Sequence, residues 1–168
     1  MRQIRALCFA LVLLAAPLCT ARDLAVVVNK NNATSNVTAA ELEKLLKTTA
    51  QNWPDGKRVN VFLSDPGFSK PEFSKSGFSK PASSQDSADI TVLLQRAYKM
   101  KPEEIRNFVD AHKADIQVVG SDEIVLMMVD NNPGAIGIVN VYSINSHVKV
   151  LKVDEKLPME QGYLLHGN

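Results

Sequence analysis

The spacing of apolar positions switches between two periods along the chain. Leu24-Ala25-Val26-Val27-Val28 is a short β-branched run closed by the polar residues 29–36, which predicts a buried strand. Thr38, with Glu41 three positions later, has the form of a capping box, and Ala39, Leu42, Leu45 and Leu46 then share one helical face. Trp53-Pro54-Asp55-Gly56 reads as a turn, because proline presets one backbone angle and glycine accepts a positive one. Val59, Val61 and Leu63 follow as a second strand, with Phe62 on its other face.

Further on, Ile90, Leu93, Leu94, Ala97 and Tyr98 mark an amphipathic helix. Pro102-Glu103-Glu104 opens another, whose buried face is Ile105, Phe108, Val109 and His112. Residues 116–119 form a short strand ending at Gly120. Periodicity alone leaves the apolar run 124–129 open between helix and strand. The N-cap pattern Ser121-Asp122-Glu123 before it and Asn131-Asn132-Pro133-Gly134 after it favour a buried helix. Residues 135–141 and 148–153 are two further strands, and 157–168 carry no strong signal. This alternation predicts an α/β, three-layer fold: a largely parallel or mixed sheet with helices on both faces.

The first 21 residues change the compartment. Arg2 and Arg5 precede the apolar run 6–16, Pro17 breaks it, and Cys19-Thr20-Ala21 supplies small residues for cleavage, the layout of a secretory signal peptide. Residues 22–168 are then expected to form a single domain. Leu18 before Cys19 argues against lipid attachment, and no stable membrane insertion is expected after cleavage. Both cysteines, Cys8 and Cys19, leave with the leader, so the mature chain has neither a disulfide nor a thiol nucleophile. Of 19 basic and 18 acidic residues the leader removes two arginines, leaving 17 against 18. With no basic excess, nucleic acid is not an expected partner.

Residues 67–86 stand apart as a low-complexity insertion. Within them three five-residue units place Phe68, Phe73 and Phe78 in step, each followed by Ser-Lys. Five matches neither the helical nor the strand period, so the segment reads as a surface loop.

Chemistry is sparse. His112, His147 and His166 lack metal-ligand spacing, and neither a nucleophile elbow nor a phosphate-cradling Gly-x-x-x-x-Gly-Lys loop occurs. No catalytic residue, metal or cofactor is expected, and the chain does not read as an enzyme. Asn32-Ala33-Thr34 and Asn36-Val37-Thr38 match glycosylation acceptors. Two helix starts could hold an anion through free N–H groups, with Ser83 and Ser84 at one and Ser121 at the other as hydroxyl donors. Asp65, Asp86, Asp89, Asp122 and Glu123 crowd the same termini and oppose a dianion.

The order of these features resembles one lobe of the phosphate-type periplasmic solute-binding proteins of ABC importers. Val37-Thr38-Ala39-Ala40-Glu41-Leu42, Trp53-Pro54-Asp55-Gly56, Gly120-Ser121-Asp122-Glu123 and especially Asn132-Pro133-Gly134-Ala135-Ile136-Gly137 carry the likeness over residues 24–153. The resemblance implies a periplasmic protein, a small oxyanion such as phosphate as ligand, and an importer permease or another periplasmic protein as partner. It places a ligand element at Ser64-Asp65-Pro66-Gly67, adding Ser64 and Gly67 to the candidate site. The family's arginine there is Ser64 in this chain, and its Ser-Gly-Thr is displaced by the repeats, removing the bidentate cation contact. The alternative is an interaction scaffold that keeps the lobe without the solute.

Overall fold

The computed structural model describes residues 23–65 and 84–167. The elements in chain order are β1 (Leu24–Asn29), β2 (Asn36–Val37), α1 (Ala39–Leu46), β3 (Asn60–Ser64), α2 (Ser84–Tyr98), α3 (Pro102–Ala111), β4 (Ile116–Val119), α4 (Asp122–Asn131), β5 (Ala135–Asn140), β6 (Val148–Val150) and β7 (Lys152–Val153). A 3₁₀ turn, Val141–Ser143, follows β5. The segment expected to be a signal peptide and most of the repeat segment lie outside the described residues. The last three positions assigned to that insertion, 84–86, are the first of α2.

Five strands form one sheet in the order β4-β3-β5-β1-β6. β3 is parallel to both β4 and β5, whereas β1 runs antiparallel to β5 and β6. Four strands therefore point one way and β1 the other, a mixed sheet of the predicted class. The run expected at 148–153 is two strands: β6 joins the main sheet, while β7 pairs with β2 in a two-stranded ribbon. Leu151, between them, is fully buried.

Alternation along β1 explains why its apolar run is continuous. Leu24, Val26 and Val28 enter the larger core beneath α1, α2 and α3, and Ala25 and Val27 enter a smaller core beneath α4. A strand covered on both faces has no polar side to display. Phe62 points into the smaller core, opposite Val61 and Leu63. Residues 124–129 lie in helix α4, with Val125, Leu126 and Val129 on the sheet. Gly137 permits this approach, since a Cβ there would sit 2.6 Å from Val125 Cγ1.

Local signals place the helices. The Glu41 amide donates to Thr38 Oγ1 (3.2 Å) and the Thr38 amide to Glu41 Oε2 (2.8 Å), the reciprocal capping box read from sequence. Glu43 bridges Lys47 at 2.8 Å and Lys99 at 2.7 Å, linking α1 to the end of α2; these ammonium groups hold its carboxyl down to about 2. His112 caps the end of α3, half-buried, with its ring stacked 4.0 Å from that of Phe108. The tail beyond 157, silent in sequence, contributes Tyr163 and Leu165 to the larger core. The Leu24 amide donates to the Leu165 carbonyl (3.1 Å) and the Gly167 amide to Asp23 Oδ1 (2.8 Å).

Candidate functional site

Parallel strands that end together release their loops on one side, and in open α/β sheets that carboxyl edge is where ligands sit. Here β3 and β4 end side by side. Ser64 is in register with Val119, and the Asp65 amide donates to the Val119 carbonyl at 2.8 Å. Gly120 and Ser121 follow immediately and lead into α4, so Ser64 and Ser121 leave neighbouring strands at the same edge. Ser84 is the first residue of α2. Gly67 and Ser83 lie outside the described residues.

The edge is rich in carboxylates, each with work of its own. Ser121 takes the extended backbone of an N-cap, but its side chain does not cap the helix. Its hydroxyl instead hydrogen-bonds the carboxyl of Glu123 and holds that group below its ordinary range. Asp122 Oδ2 accepts from the Asn140 amide (2.9 Å) and from Ser143 Oγ (2.8 Å), tying the first turn of α4 to the end of β5. Asp122 thus does more than complement the helix dipole, the role its position suggested. At the start of β1, buried Asp23 lies 2.6 Å from His166 Nδ1. Sequence periodicity missed Asn140, Ser143, Asp23 and His166. The only advance signal was that Asn140 and Ser143 are polar residues flanking the end of an apolar strand.

Two of the motifs that carry the resemblance, residues 53–56 and 132–137, lie at the opposite end of the sheet. Trp53 Nε1 donates to the Gly134 carbonyl at 3.0 Å, so the Trp-Pro-Asp-Gly turn and the Asn-Pro-Gly turn meet through one hydrogen bond. The Asn60 amide donates to the same carbonyl at 3.2 Å. Gly134 packs so closely on the Arg58 backbone that a Cβ would run into the Arg58 carbonyl oxygen. Arg58 also pairs with Asp115 at 2.5 Å, beside the start of β4. These residues build the amino edge of the parallel strands and are far along the strands from Ser64 and Ser121.

Among the described residues no cluster of His, Cys, Asp and Glu could hold a metal ion, and no helix is long and apolar enough to cross a membrane.

No family model and no curated protein matches the chain. Solved structures do. An ABC-type phosphate transport receptor from Vibrio cholerae superposes with a TM-score of 0.60 at 19% identity, over 88% of this chain and 54% of the receptor. PstS from Borrelia burgdorferi gives 0.60 at 22% identity, over 88% and 55%. A putative phosphate ABC transporter substrate-binding protein with bound phosphate from Clostridium perfringens gives 0.56 at 16%, over 80% and 46%. The chain spans about half the length of these proteins. At such identities the likeness establishes the shared α/β fold.

Proposed function

We propose that the chain is an exported solute-binding-type lobe that offers half a site for a small oxyanion, phosphate being the first candidate. The single observation that supports this most is that Ser64 and Ser121 leave adjacent parallel strands at one carboxyl edge, in a fold shared with a phosphate transport receptor and a structure with bound phosphate. In this reading the ligand lies against the strand ends and the N-termini of α4 and α2, with Ser64, Gly67, Ser83, Ser84 and Ser121 as its contacts. The second half-site comes from a partner, an importer permease or another periplasmic protein, and the signal peptide delivers the chain to that compartment. No catalytic step is part of the proposal.

An oxyanion bound by the lobe alone meets Asp65, Asp122 and Glu123 without a facing arginine, so affinity is weak. Titrating phosphate, sulfate and molybdate into residues 22–168 tests this by amide NMR. Saturable shifts at Ser64, Gly120 and Ser121 are expected; none with any of the three anions ends the proposal. A second reading, a lobe kept as an interaction scaffold, is favoured by the commitment of the Ser121 hydroxyl to Glu123. It accounts for a silent titration.

A further inference from the structure

We infer that the outer face of α4, with Tyr142 beside it, is a docking surface for a cationic amphipathic segment of another protein chain. Three of the six large hydrophobic side chains exposed in the structure lie here: Ile124 at 38%, Met127 at 55% and Tyr142 at 77%. Ile124 and Met127 are three residues apart and share a helix face, while Val125, Leu126 and Val129 occupy the sheet side. Tyr142 belongs to the 3₁₀ turn, which Ser143 and Asn140 fasten to Asp122 in the first turn of α4. Tyr142 therefore stands on a turn tied to the end of α4 at which Ile124 lies.

Charge decides the partner. No lysine or arginine occurs between Lys113 and Lys149, a span covering all of α4, β5 and the 3₁₀ turn. The same span contains Asp115, Asp122, Glu123 and Asp130. Asp115 is paired with Arg58 at the far edge, and Asp122 is held within the fold. Glu123 and Asp130 are exposed on α4 at its two ends, bracketing Ile124 and Met127. Asp130 stands 3.6 Å from the exposed His147. An apolar stripe bracketed by carboxylates complements an apolar ridge bracketed by lysines or arginines, and repels an anionic lipid surface. The surface adjoins the strand-end site at Glu123, while Met127 and Tyr142 are not among the residues proposed to hold the solute.

An 18-residue Lys/Leu peptide of amphipathic helical pattern, and a scrambled peptide of the same composition, serve as probes against residues 22–168. Amide NMR is expected to map saturable binding of the patterned peptide to α4 and the 3₁₀ turn, with the scrambled peptide at least about tenfold weaker. The pair Met127→Ser and Tyr142→Ser is expected to weaken binding about tenfold, and the pair Glu123→Gln and Asp130→Asn about threefold at low salt. All four positions are solvent-facing, and the amide spectrum of each variant verifies its fold. Equal binding of the scrambled peptide, shifts away from α4, or indifference to the Met127 and Tyr142 changes overturns the inference. So does concentration-dependent self-association through α4 in sedimentation, which would make a second copy the occupant.

Discussion

At the amino ends of β3 and β5, Trp53, Arg58, Asn60 and Gly134 are interlocked through one carbonyl and one close backbone contact. At the carboxyl ends of β3 and β4, Ser64 and Ser121 leave adjacent strands that the bond from the Asp65 amide to the Val119 carbonyl joins, and the chain opens into the connections to α2 and α4. The amino end is thus knitted around one carbonyl, and the carboxyl end holds the serines of the proposed site. Likeness to the solved structures carries the fold and says little about the chemistry of the second end.

Mutations should sort along that division. Trp53→Ala removes a buried indole and its hydrogen bond to Gly134, and is expected to cost about 4 kcal/mol in urea unfolding. Gly134→Ala forces its methyl against the Arg58 carbonyl and is expected to cost about 3 kcal/mol by the same measurement. If either variant unfolds like the parent chain, the amino edge is not the structural end. Burial pushes the Tyr163 hydroxyl up to about 12. A raised folded value means stability is complete below pH 10, where both states hold the proton, and is lost as pH rises from 10 through 12. Tyr163 should contribute about 2 kcal/mol to the fall across that window. Tyr163→Phe should lessen it, leaving the part owed to Tyr98, whose hydroxyl burial also pushes up. Urea midpoints at pH 9 and 11.5, with no difference between variant and parent, would remove the tail from the account.

The smallest stability effects belong to the carboxyl edge. Ser64→Ala and Ser121→Ala should each change unfolding free energy by no more than about 0.5 kcal/mol. Ser121→Ala should also raise the titration midpoint of Glu123, followed by side-chain NMR, because the hydroxyl that stabilises its carboxylate is gone. A large loss of stability from either serine would erase the contrast between the two edges.

The readable part of the fold is the part governed by local chemistry. The capping box at Thr38 and Glu41, the proline at the start of α3 and the flanks of 124–129 each act within a few residues, so spacing reveals them. The run 148–153 misled because its strand character is real while its division between two sheets depends on partners more than 100 residues away. Tyr163 and Leu165 escaped notice for a related reason: isolated apolar residues in a turn-rich tail have no period, and only the completed core gives them a place. The starts of α2 and α4, where Ser84 and Ser121 stand, were legible in the sequence. The partners of Asp122 were not, because it meets Asn140 and Ser143 only once α4 is docked beside β5.

The bonds from Leu24 to Leu165 and from Asp23 to Gly167 have a consequence for how such a lobe can be reused. Because the first and last described stretches touch, the module enters and leaves at one spot. It can be spliced into a surface loop of a host protein, or have its ends joined and be opened elsewhere, without stretching the sheet between them.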